Sequence, residues 1–191
     1  MNLTTSRAKT QVSTLNKDST VNVVSNTIIE SDIYRTTIVG GTMGSSGCLR
    51  ISHAGHLLNN AGQQSARIRI MMGPVGCISS TSGVTVIYDS NHATISANAS
   101  ERAVELHCFI SNDAVTQQGS LGSDRLGAVG TTDGVAADTA PGEDFMAHNH
   151  NTNIDTTIDR DLAITLVFGT ASPSLIYTSH FTVTELLPSL T

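Results

Sequence analysis

A chain of 191 residues, 39% of them hydrophobic, is long enough to bury one core without disulfides or metals, so a single domain with a peripheral arm is expected. Aromatic residues make up only 4% and tryptophan is absent, which points to a core of Val, Ile, Leu and Ala and against a deep aromatic pocket. The formal charge of -6 argues against nucleic acid as the main partner, and no apolar run approaches the ~20 residues of a membrane span or resembles a signal peptide.

Charge is unevenly placed. Arg7, Lys9 and Lys17 precede the first acidic residue, Asp18, while the rest of the chain sets 7 arginines against 16 acidic groups. Residues 1–19 are otherwise Thr, Ser and Asn with scattered Val12 and Leu15, too polar to fold alone. They read as an extended N-terminal arm that orders against a partner, with residues 20–191 forming the domain.

From residue 20 the pattern changes to short runs of period two, which put alternate side chains on one face of a strand. Val21 and Val23 begin it, followed by the run from Ile33 to Val39, and then by Leu49, Ile51 and His53 alternating with Arg50 and Ser52. Ile68, Ile70 and Met72 oppose Arg67 and Arg69, as in a half-buried strand. Val84, Val86 and Tyr88 come next, then Val104, Leu106, Cys108 and Ile110 against Glu105 and His107. Leu162, Ile164, Leu166 and Phe168 form a later strand, and Tyr177 to Leu186 the last. Turn signals separate them, among them Gly40-Gly41, Asn59-Asn60-Ala61-Gly62 and Ser172-Pro173-Ser174. No helical stripe is present, so the expected fold is all-β, an antiparallel β-sandwich of jelly-roll type.

Residues 111–161 hold one aromatic, Phe145, and nine acidic groups against Arg125 and Arg160. They read as an acidic, glycine-rich excursion at one end of the sandwich, with a short strand around Asp144 to His150. Its glycines Gly119, Gly122, Gly127, Gly130 and Gly134 lack the lysine of a phosphate loop and read as loop residues. Asp133, Asp138, Glu143 and Asp144 match no calcium-loop spacing and read as a solvated rim.

Catalytic motifs are missing: the sequence contains no GxSxG, no GxxxxGK[ST] and no HExxH. No enzyme and no cofactor is expected. Cys48 and Cys108 fall in apolar runs and read as small core residues, and three cysteines without a CxxC pair fit reduced thiols. No metal site is expected. His148 and His150 are the nearest to one, because residues two apart on a strand share a face, but they read as a pair of exposed loop residues between asparagines. His53, His56, His92, His107 and His180 have weaker claims.

The strings CLRISHAGHLLNNAGQQSARIRIMMG, TVIYDS, ATISANASERAVELHCFI and DTTIDRDLAITLVFGTASPSLIYTSHFTVTELL resemble, over roughly residues 26–187, jelly-roll or β-sandwich virion proteins of tailed bacteriophages. These comprise head decoration (cement) proteins and fibre-like structural proteins. The segment Gly73 to Ser80 and the excursion after Ile110 are longer than that pattern. The resemblance implies no active site. It implies a capsid decoration protein at the virion surface, made in the host cytoplasm, homotrimeric, and without nucleic-acid or membrane partners. The arm lies outside that resemblance; its own basic composition leads to the expectation that Arg7, Lys9, Val12, Leu15 and Lys17 bind the major capsid protein. The alternative is a tail fibre or spike domain that binds a host-surface receptor through the loops of residues 111–153.

Overall fold

A computed structural model describes residues 12–60, 62–77, 80–90, 93–95, 97–114, 117–126, 150–152 and 154–187, with 93–94, 98, 113–126 and 150–152 described as backbone only. Twelve strands and no helix occur among these residues. They are β1 (Ser13–Asp18), β2 (Asn22–Ser25), β3 (Ser31–Ile38), β4 (Cys48–Asn59), β5 (Gln64–Gly73) and β6 (Thr85–Asp89). After them come β7 (Ala93–Ile95), β8 (Asn98–Ala114), β9 (Gln117–Leu126), β10 (His150–Thr152), β11 (Arg160–Phe168) and β12 (Leu175–Leu187).

The strands form two antiparallel sheets. The larger has the order β1-β12-β4-β8-β9-β10, with β2 also on β12, and the smaller has β3-β11-β5-β6, with β7 also on β5. Because successive elements cross between the sheets, the central strands β12, β4 and β8 of one alternate in sequence with β3, β5 and β11 of the other. That order is a jelly roll, in which β1 and β2 share the first strand position and β6 and β7 share another. The expected all-β sandwich is therefore what the chain forms.

The core lies between the sheets. Leu49, Ile51, Leu57, Leu106 and Ile110 meet Ile70, Met72, Leu162, Ile164 and Phe168, all 2% exposed or less. Strands β4 and β8 show the expected alternation without a slip. β4 continues its inward side through His53 to Asn59, whose Nδ2 donates to the carbonyls of Gly62 (2.7 Å) and Ile95 (3.1 Å) and so fixes the turn into β5. Gly62 takes φ +91° there, a left-handed geometry that suits glycine.

Three readings of the pattern need correction. In β2, Val24 is the buried residue, whereas Val21 and Val23 are 57% and 60% exposed. In β6, Val86 pairs with Met71 and Tyr88 with Ile70, so Ile87 is an extra, bulged residue and Val86 does not share the face of Tyr88. Residues 117–126, expected in an excursion at one end, form β9 and fold back along β8 from Ala114 to Val104, widening the larger sheet. Gly119 and Gly122 thus sit in a strand, paired with Ser111 and Cys108.

The smaller sheet has covered patches on its outer face as well. Ala163, Thr165 and Met71 are buried there, which is why β11 looks apolar on both sides. Asp161 holds the segment after β5 onto this face, accepting from Thr37 Oγ1 (2.7 Å), the Gly76 amide (2.8 Å) and Arg35 Nη1 (3.1 Å). Arg69 bridges Glu30 (2.9 Å) and Asp89 (3.3 Å), and Arg67 also pairs with Asp89. Neither arginine guards a sheet edge, since β5 lies between β11 and β6.

Candidate partner-binding surface

The larger sheet ends at β1, and β1 contains two of the residues expected to bind a partner, Leu15 and Lys17. Ser13 to Asp18 pair with Leu186 to Thr182 of β12, so this part of residues 1–19 belongs to the sheet. Leu15 packs against the core from this edge, and Asn16 Nδ2 donates to Thr36 Oγ1 of β3 (2.7 Å), tying the edge strand to the opposite sheet. Lys17 points away from the core, its Nζ 5.7 Å from the ring centroid of Phe181, a cation–π contact. Val12 is 42% exposed just before the strand. Arg7 and Lys9 lie outside the described residues. The residues expected to bind a partner therefore divide: Leu15 is used by the chain itself, whereas Val12 and Lys17 are exposed.

A bulge in β12 shapes the outer face of the same sheet. Ser179 pairs with Gly55 and Phe181 with Ala54, so His180 is the additional residue. Before it Leu175, Tyr177 and Ser179 are buried; after it Thr182 and Thr184 are, so the inward phase changes at the bulge. His180 is left on the surface beside His56 of β4, with His180 Nε2 2.6 Å from His56 Nδ1. His56 Nε2 lies 3.2 Å from Glu101 Oε1 on β8. Further along, Arg50 Nη2 bridges Glu185 at 2.6 Å, and His107 Nδ1 lies 3.2 Å from Ser52 Oγ.

The inner face of β12 carries a polar seam that crosses the core. Tyr34 and Thr184 hydroxyls share a hydrogen bond of 2.9 Å. His53 contacts Thr182 Oγ1 through Nδ1 (2.7 Å) and the Tyr177 hydroxyl through Nε2. Burial lowers the His53 pKa to about 4 and raises that of Tyr177, so both are uncharged at neutral pH. Gly55 makes room for the Tyr177 ring, since a Cβ there would lie 2.8 Å from Tyr177 Cζ and 2.6 Å from the Thr178 carbonyl oxygen. A neutral imidazole between two hydroxyls could in principle move protons. Here all three groups are 1% exposed or less, so no substrate reaches them and the seam is part of the core.

Cys108 is fully buried, and burial pushes its thiol up to about 12, far from a nucleophile; burial also raises the Cys48 thiol. His150 opens β10 and pairs with Ser120, whereas His148 falls outside the described residues, as do Asp133, Asp138, Glu143, Asp144 and His92. Among the described residues, no group of three or more His, Cys, Asp or Glu side chains is gathered as a metal site. The contact of His56 with His180 was not foreseeable from the period-two pattern, because it depends on the bulge.

No family model matches this chain, and no curated protein matches it. Among solved structures it is similar to a seed lectin isoform of Lotus tetragonolobus, at 7% identity over 91% of this chain and 96% of the lectin, with a TM-score of 0.40. A likeness at that level carries no argument about binding. The jelly-roll assignment rests on the strand order itself.

Proposed function

We propose that this chain is a structural protein of a virus particle that decorates and stabilises the capsid as a cement protein. The segment leading into β1 binds major capsid subunits. The observation that supports this most is the position of β1 at the outer edge of the larger sheet, where Val12 is exposed and Lys17 faces outward. Arg7 and Lys9 precede that edge in the sequence, in a stretch where positive charge exceeds negative, whereas the chain from Asp18 onward sets 7 arginines against 16 acidic groups. A basic strand next to an edge can add backbone hydrogen bonds on docking and is steered toward acidic surface, at an ordering cost offset by many lattice contacts. Jelly rolls are a common architecture of capsid and lectin domains, which is compatible with this reading and does not by itself select it.

The test is cosedimentation of the purified protein with capsid shells that lack it, using the full chain and a chain without residues 1–11. Saturable binding at a fixed ratio to lattice sites, lost on the truncation, is the expected result. Light scattering should give three times the 20.0 kDa of one chain if the protein is a homotrimer. Binding by the truncated chain at full affinity would remove the arm from the interface. Failure of the full chain to bind shells, together with attachment to host cells, would assign it instead to a tail fibre or spike.

A further inference from the structure

We propose that His56 and His180 form a binding site for a single borderline transition-metal cation, with Zn2+ as the representative ion and Glu101 as the outer partner. Geometry is the starting point. Two ring nitrogens on adjacent strands, His56 Nδ1 and His180 Nε2, face each other at 2.6 Å, close enough that one must carry a hydrogen and the other a lone pair. Glu101 decides which. Its carboxylate lies 3.2 Å from His56 Nε2, an ion-pair distance that favours a hydrogen on that nitrogen and so leaves the Nδ1 lone pair toward His180. A histidine whose second nitrogen donates to a carboxylate is the usual arrangement around zinc, where the carboxylate fixes the tautomer and makes the ligand more basic.

Replacing the shared proton by a metal needs only a small movement. Two nitrogens at 2.0–2.1 Å from a tetrahedral ion stand about 3.3 Å apart, so the rings must separate by well under an ångström. His180 has that freedom because the bulge puts it on the exposed face, opposite no residue of β4. Nitrogen donors suit Zn2+, Ni2+ and Cu2+ over Ca2+ or Mg2+. His56 and His180 fill two positions, and solvent water completes the shell on the open side. The proposal uses neither His148 nor His150 and does not depend on the cement role.

The experiment is isothermal titration of Zn2+ into the full chain after chelator treatment, carrying His148→Ala and His150→Ala so that this pair cannot contribute. One ion per chain is expected, with micromolar affinity. His180→Ala, a change at an exposed side chain, should weaken binding by about 30-fold or more while leaving the thermal melt of the metal-free protein in place. Glu101→Gln should weaken it by roughly 10-fold, as loss of an outer carboxylate does. No heat of binding up to about 1 mM Zn2+ would overturn the proposal, as would a His180→Ala affinity within about threefold of the parent.

Discussion

His53 lies on the core side of β4, 1% exposed, with its two nitrogens against the hydroxyls of Thr182 and Tyr177. Neither neighbour carries charge, so nothing compensates for burying an imidazolium, and burial lowers the His53 pKa from 6.5 to about 4. The unfolded chain takes up this proton below about pH 6.5, while the folded chain resists it until about pH 4. Stability from His53 is therefore complete above the first value and declines as pH falls toward the second, by about 3 kcal/mol in all. Urea melts between pH 7.5 and 4.5 should show this decline, and His53→Gln should flatten it even if it lowers stability throughout. An equal slope in both proteins would place the acid sensitivity elsewhere. The inward position of His53 is legible from its alternation with Leu49 and Ile51. Its partners, more than 120 residues away in the chain, are not, because period two identifies a face and not the neighbour across it.

Among elements, the strands that were legible throughout are those whose apolar runs carry no inserted residue. β4 and β8 keep one phase from end to end of their apolar runs, and their inward residues match the pattern. β6 and β12 contain an extra residue each, at Ile87 and His180, and a single insertion reverses every later side chain. β9 was hidden for another reason: Gln117 to Leu126 is rich in Gly, Ser and Gln, and its strand state comes from the backbone edge offered by β8, not from its own propensity. Asp161, at the start of β11, shows how one residue fixes an irregular element. Burial would raise its pKa, but Thr37, the Gly76 amide and Arg35 together hold it below the usual carboxylate range. Asp161→Asn keeps the shape and weakens the pull on all three donors. The Gly76 amide should then exchange with deuterium about tenfold faster or more, for a loss of about 1.5 kcal/mol in local opening, while amides of β4 and β8 stay protected. Unchanged protection at Gly76 would mean that the segment after β5 is held by other contacts.

The molecule as a whole has a boundary different from the one its composition suggests. Polarity up to residue 19 reads as an arm, yet a strand at a sheet edge needs few apolar residues, since only one face meets the core and the backbone pairs on one side. Leu15 and Asn16 are enough to anchor β1, through the core and through Thr36 of the opposite sheet. The candidate site was correspondingly half legible: the cluster of positive charge pointed to a partner, but Leu15 is committed within the fold. Two truncations should therefore behave differently. A chain lacking residues 1–11 keeps β1 and should melt like the full protein. A chain lacking residues 1–19 loses the burial of Leu15, the Asn16 bond and the pairing of Lys17 and its neighbours with β12, and leaves Val183 and Leu186 beside an open edge. Partial burial of one leucine and one hydrogen bond sum to about 2–4 kcal/mol, visible as a lower urea midpoint. The newly open edge should also make this shorter chain prone to associate. If both truncations were equally stable, β1 would be an accessory that docks on a complete sandwich, and the whole of residues 1–19 would again be available to a partner.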